Sequence, residues 1–249
     1  MALVRDLIKR WLLRKDIILS RPPGQFVITE IKLRKMRDRG LKIQCAVDGG
    51  AAEGGWAREF KGIYPEAQVL CVEPRDAEQA RLAELARELK GVHIGKTLLG
   101  ASTGPVEFFE SGTQSSTLKA ANGQPFGKKV TAEMTTLDDL ITKMKLPWPD
   151  LIKLDLQGAE LAALVGAGEC LKRAQAVMLE VSFIALQLGM PLIGDVIPFM
   201  SERGFMCYDI AGLWHRPLDG ALAQGDFVFL KKGHALLADG RWSAEGAFS

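Results

Sequence analysis

The feature that most constrains this chain is a repeated handover from short apolar runs to longer helical patterns. KIQCAV (42–47), QVLCVE (68–73), VHIGKTLLG (92–100), DLIKLDL (150–156) and AVMLEVSF (176–183) read as buried strands. Between and after them, 55–63, 76–90, 136–144, 158–171 and 192–203 read as helices, closed by Gly62, Gly91 and Gly204 in three cases. Thr136 is the expected cap of its helix, with Asp139 three residues on. Near-continuous apolar strands separated by helices predict a parallel sheet covered on both faces, an α/β doubly wound domain. VEFFE (106–110) and KVTAEM (129–134) are more exposed strand candidates, and FMCYDI (205–210) with DFVFLKK (226–232) predicts a closing hairpin at one sheet edge.

The 249 residues suffice for one large core, with 47% apolar and 25% charged residues, the balance of a soluble globular protein. Cys45, Cys71, Cys170 and Cys207 form no CxxC pair, and His93, His215 and His234 lie far apart, so no zinc-ligand spacing exists. The cysteines read as buried reduced thiols of a cytoplasmic protein. No uncharged apolar stretch reaches membrane-spanning length.

Charge is uneven. Residues 1–42 carry twelve Lys/Arg and four Asp/Glu, and the remainder carries twenty Lys/Arg and twenty-six Asp/Glu. The expected organisation is a basic N-terminal helical extension over 1–41, a main domain over 42–234 and a C-terminal tail over 235–249. Residues 2–14 form an amphipathic pattern, ended by RPPG, and a second short helical or extended piece covers 27–39. A basic amphipathic helix suits peripheral contact with an anionic membrane surface at the inner face, or simply a solvated face.

Two apolar runs end on an aspartate followed by glycine: CAVDGGAAEGGW (45–56) and LIKLDLQGAE (151–160). In open parallel sheets, ligands sit beyond the carboxyl ends of the strands where strand order reverses. The loop Asp48-Gly49-Gly50-Ala51-Ala52-Glu53-Gly54-Gly55 would meet such a ligand. Its glycines do not fit the dinucleotide pattern, its acids oppose pyrophosphate, and no phosphate-loop GK[ST] follows. Glu73, followed by Pro74, ends the next strand, where an acid about 20 residues after the loop accepts ribose hydroxyls. A nucleoside with a free diol, no phosphate and an ammonium end fits this pattern, as S-adenosylmethionine does.

VDGGAAEGGWAREF, VLCVEP, SSTL, TLDDLI, LIKLDLQGAELAALVGA and MLEVSF, in this order, resemble the FkbM-type S-adenosylmethionine-dependent methyltransferases from about Cys45 to Leu230. The resemblance implies a Rossmann-like class I methyltransferase with a mostly parallel seven-stranded sheet whose last strand is antiparallel. It implies O-methylation of a hydroxyl on a saccharide, glycolipid or natural product. By position, Asp48, Gly50 and Gly54 match the cofactor loop, Glu73 the ribose-binding acid, and Asp155, Gln157 and Glu160 the motif after the fourth strand. The loop has Ala52 where the family has Asn, and LLGASTG lacks an acid for the adenine amino group, so Ser102 or a backbone group substitutes.

Methyl transfer is a one-step displacement in which the protein holds the acceptor oxygen in line and removes its proton. Asp155, Glu180 and His215 are the catalytic candidates, the last in a loop between the closing strands. Asp48, Gly49, Gly50, Glu53, Gly54, Glu73, Pro74, Ser102 and Gln157 are the cofactor-binding candidates. Ser115, Ser116, Glu160 and Trp214 are the substrate-side candidates, and Trp148 and Trp214 sit in loops where a sugar face can stack. No metal-ligand cluster stands out, which leaves divalent-metal dependence open. A nucleic-acid methyltransferase and a non-catalytic binding module of the same fold are the alternatives. The first lacks a base-flipping motif such as NPPY.

Overall fold

A computed structural model of the chain describes residues 26–112, 114–125 and 127–240, with side chains described from Ile28 onward. The helix expected at 2–14 and the end of the tail lie outside the described residues.

The main sheet contains β1 (Phe26–Val27), β2 (Cys45–Gly49), β3 (Gln68–Val72), β4 (Val92–Gly95), β8 (Leu151–Leu154), β9 (Ala176–Ser182), β10 (Phe205–His215) and β11 (Leu222–Lys231). Its order is β1-β10-β11-β9-β8-β2-β3-β4. The pairs among β4, β3, β2, β8 and β9 are parallel, while β11 runs antiparallel to both β9 and β10. Apart from the two-residue β1 at the edge, this is a seven-stranded sheet with one reversed strand. A small second sheet is built from β5 (Leu98–Leu99), β7 (Lys128–Thr135) and β6 (Gly104–Glu110) in that order.

Both faces of the main sheet are buried, so each strand splits its side chains between two cores with a period of two. Ala46, Leu151, Ala176, Met178 and Val228 face one core; Val47, Ile152, Val177, Leu179 and Phe227 face the other. Helices α1 (Thr29–Asp38), α2 (Gly55–Ile63) and α3 (Asp76–Glu88) close the first core with Leu33, Met36, Phe60, Leu82 and Leu85. Trp56, Phe60 and Tyr64 stack along α2 with ring centroids 5.2 Å apart at each step. Helices α4 (Leu137–Met144), α5 (Glu160–Val165), α6 (Gly168–Arg173) and α7 (Ile193–Glu202) close the second core. Thr136 caps α4 by accepting from the Asp139 N–H at 3.1 Å.

Three sequence expectations need correction. The run 92–100 is two strands in two different sheets: polar Lys96 and Thr97 interrupt it, and the Thr97 hydroxyl bonds the Glu133 carbonyl at 2.9 Å, turning the chain onto the second sheet. The helix expected over 158–171 breaks into α5 and α6, because Gly166 packs directly on the Gly100 carbonyl oxygen. Asp138 then caps the restart, accepting from the Glu169 and Cys170 N–H groups at 2.7 and 2.9 Å. The closing strands are longer than their apolar runs, so Trp214 and His215 belong to β10 rather than to a loop. Cys45, Cys71 and Cys170 are buried, and Cys207 is exposed.

Candidate active site

The chain runs outward from β2 through β3 to β4, then returns to place β8 on the other side of β2. Strand order therefore reverses between β2 and β8, and a cleft opens at their carboxyl ends. It encloses about 760 Å³ out to its mouth. Gly50 follows β2, Glu73 and Pro74 follow β3, and Asp155 and Gln157 follow β8, all lining the cleft. Ser115 and Ser116 also line it, and Val72, Leu98, Leu99 and Phe108 supply its apolar lining.

Seven of the predicted residues thus meet in one place. Gly50 has φ +74° and faces the Asp155 carbonyl so closely that a Cβ would collide with it. Glu73 is 3% exposed. Its Oε2 accepts from the Ala52 N–H at 3.0 Å, its Oε1 accepts from the Arg75 N–H at 3.0 Å, and the Arg75 guanidinium closes on both oxygens. Asp155 has 35% of its side chain exposed. Gln157, at φ +52°, donates from Nε2 to Asp155 Oδ1 at 2.8 Å and to Glu180 Oε2 at 3.0 Å. A non-glycine residue held there is strained backbone, which the surrounding bonds over-determine. Ser116 donates its hydroxyl to the Gln157 carbonyl at 2.8 Å, tying the facing loop to the same turn. The Ser115 hydroxyl accepts from Ser111 N–H and donates to the Gly112 carbonyl, so it shapes its own turn.

The other candidates lie outside the cleft wall. Asp48 is wholly buried, directly opposite Lys153 in the β2–β8 register, with Lys153 Nζ 3.0 Å from Oδ1. Burial pushes the Asp48 carboxyl up against the opposing pull of Lys153. Gly49 packs against Leu154 and Leu99, and Gly54, at φ +83°, against Leu85 and Leu82 of α3. At these two glycines, helix and strand packing leaves no space for a side chain. Glu53 is exposed and paired with Arg81, and Ser102 is exposed beyond β5.

Glu160, expected on the substrate side, turns inward. Its Oε1 accepts from the Leu156 N–H at 2.7 Å, and its two oxygens take the Gly158 N–H at 3.2 and 3.1 Å, so it clamps the 155–159 turn from below. Burial raises its carboxyl to about 7 despite those N–H groups. Glu180 reaches the cleft only through Gln157, and its Oε2 also accepts from Gln224 Nε2 at 2.7 Å. Burial first, then Asp155, Glu160 and Asp226, push its carboxyl well up. Trp214 folds its ring over Gly212, and His215 stands at the end of β10. At about 4.8 Å per strand, β10 is roughly 14 Å from β8 across β9 and β11. Trp148 packs under the Arg173 guanidinium at 4.5 Å, part of the second core rather than an open platform.

The residues fit S-adenosylmethionine. Glu73 sets a carboxylate of the kind a ribose diol binds in the cleft wall, beneath the Arg75 guanidinium, the Val72, Leu98, Leu99 and Phe108 wall suits an adenine, and Gly50 lets the loop backbone approach beside Asp155. Among the described residues, no group of three or more His, Cys, Asp or Glu side chains is arranged to hold a metal ion. None of the described helices is long and apolar enough to cross a membrane.

The model of the methyltransferase FkbM domain matches residues 48–207. The chain belongs to that family. A family member of this kind is an S-adenosylmethionine-dependent methyltransferase, and the matched span runs from Asp48 of β2 into β10. The 2-O-methyltransferase NoeI of Sinorhizobium fredii is 28% identical over 170 residues, 61% of this chain and 70% of its own length. Methyltransferase FkbM from Methylobacillus flagellatus superposes with a TM-score of 0.49 at 17% identity, covering 74% of this chain; the chain spans only 43% of that structure. A precorrin-6y C5,15-methyltransferase from Geobacter metallireducens superposes at 0.45 with 13% identity, over 86% of this chain and 93% of its own.

Within this FkbM member, three site-region residues escaped the reading by motif. Lys153 is the lone cation in a buried strand, and parity along β8 puts it on the face of Asp155 and opposite Asp48. Burial opposes its charge, yet Asp48 and Asp155 hold it protonated above the ordinary lysine range. Asp226 sits opposite Glu180 in β11, and burial, then Asp155, raise it to about 7. Arg75 follows Glu73 by two residues and covers it. A single cation inside LIKLDL was the one available signal, because a buried ammonium demands anions around it.

Proposed function

We propose that the chain transfers the methyl group of S-adenosylmethionine to a hydroxyl oxygen of a saccharide or other small polyhydroxylated acceptor. The observation that carries this reading is one cleft at the strand ends lined together by Glu73, Asp155, Gln157 and Ser116. The cofactor, when bound, supplies a methyl group already activated on a sulfonium. Glu73 holds the ribose diol, and the Val72, Leu98, Leu99 and Phe108 wall takes the base. Asp155, exposed to the cleft and oriented by Gln157, takes the proton that the acceptor hydroxyl must lose. Gln157 also joins Asp155 to Glu180, whose carboxyl burial pushes well up. The likeness to a 2-O-methyltransferase supports oxygen as the accepting atom.

Calorimetric titration with S-adenosylhomocysteine tests the cofactor half: wild type binds, and Glu73→Ala weakens binding by about a hundredfold, the worth of two hydrogen bonds to a charged group. A panel of mono- and oligosaccharides with labelled cofactor tests the acceptor half. On any accepted sugar, Asp155→Asn lowers kcat by about 10²-fold or more while S-adenosylhomocysteine affinity stays within a few fold. Full turnover by Asp155→Asn removes that residue from proton transfer.

A further inference from the structure

Arg75 occupies a position that the ribose reading leaves no room for. The backbone at Arg75 is extended, so its side chain and that of Glu73 leave the chain on the same side. Its Nε donates to Glu73 Oε1 at 2.8 Å and its Nη2 reaches Oε2 at 3.4 Å, a fork across both carboxylate oxygens. Both residues line the cleft. A vicinal diol binds a carboxylate in the same way, one hydroxyl to each oxygen. The remaining acceptor directions of Glu73 are taken by the Ala52 and Arg75 backbone N–H groups, which cannot leave. The guanidinium is the movable occupant.

It also has somewhere to go. Glu78 lies in the first turn of α3, with Oε1 3.5 Å from Arg75 Nη1 and its side chain 14% exposed. Its Oε2 is buried and has no hydrogen-bond partner. A desolvated carboxylate oxygen without a donor is costly, and a shift of the Arg75 guanidinium toward α3 supplies one.

Resting on the reading of Glu73 as the ribose-binding acid, we propose that Arg75 is a latch on the cofactor site. It spans the diol edge of Glu73 in the free protein, and nucleoside binding moves it onto Glu78. The guanidinium competes with the ribose, so the free protein carries an affinity penalty that the Glu78 station partly offsets.

The test is calorimetric titration of wild type, Arg75→Met, Glu78→Gln and Glu73→Ala with S-adenosylhomocysteine, and with adenosine against 2′,3′-dideoxyadenosine. Arg75→Met is expected to tighten S-adenosylhomocysteine and adenosine by about fivefold or more. Glu78→Gln, which removes the charge of the second station at nearly constant volume, is expected to weaken both by about threefold or more. Neither variant changes dideoxyadenosine, which has no diol to compete. A merely structural arginine would not give opposite signs in the two variants or depend on the diol. Weaker or equal binding by Arg75→Met, or both variants moving the same way, overturns the latch. If Arg75→Met does not fold, the Glu78→Gln arm decides. Unchanged affinity in Glu73→Ala overturns the ribose reading, and binding by Arg75→Met where wild type shows none marks a latch that holds the site shut.

Discussion

At the scale of single residues, the site is governed by buried carboxylates that outnumber their cations. Asp48, Glu180 and Asp226 share one face of the sheet with Lys153 between them, and burial raises all three acids. Asp226 takes its proton up at about 7 in the folded chain, well above an unfolded aspartate near 3.9. The folded state therefore binds more protons across that window, and the stability contributed below pH 4 is lost as pH rises toward 7. Asp226→Asn is expected to flatten this fall and to raise Tm at pH 8 by about 2 °C or more, read by thermal scans across pH. Gly50 makes the opposite kind of demand. An added methyl meets the Asp155 carbonyl at a φ that side chains avoid, so Gly50→Ala should cost about 2–4 kcal/mol in a denaturant titration.

Among elements, the turn between β8 and α5 matters most, because it carries both Asp155 and Gln157. Two successive residues there, Gln157 and Gly158, have positive φ, and Glu160 holds the turn through the Leu156 and Gly158 N–H groups. Glu160→Ala strips those donors of their acceptor. The expected loss is about 1–3 kcal/mol of stability, with faster amide exchange at Leu156 and Gly158 and little change in the β2–β3 strands. Unchanged exchange at those two amides would show that the turn holds without the clamp. The TLDDL and GAE motifs were visible as residue strings, but their jobs differ from their positions in the strings. Asp138 of the first caps a helix more than thirty residues away, and Glu160 of the second turns onto the Leu156 and Gly158 N–H groups.

For the whole molecule, the two cores on either side of one sheet make α1 an integral part of the fold. Ile31, Leu33, Met36 and Leu41 are buried, and Lys32 pairs with Asp209 of β10 at 2.7 Å. A chain starting at residue 42 should lose about 6 kcal/mol or more from burial of those four side chains and express as insoluble or molten protein. A well-folded product with native near-UV dichroism would instead set the domain boundary at residue 42.

What the sequence determined by itself is local and periodic. Continuous apolar runs require strands buried on two faces, the intervening amphipathic patterns require covering helices, and an acid at the end of an apolar run belongs at a strand's carboxyl end. Those rules were enough to bring Gly50, Glu73 and Asp155 to one cleft, and the family resemblance added Gln157. Only the tertiary structure decided which acids face that cleft and which lie beneath it. Asp48 and Asp155 read alike in sequence, yet register sets one against Lys153 inside the sheet and leaves the other open to solvent. His215 read as a catalytic candidate in a loop, yet strand order carries it three strands from β8. Lateral strand order and register arise from long-range pairing, which no short stretch of sequence encodes, and they alone set the distances over which charges and protons act.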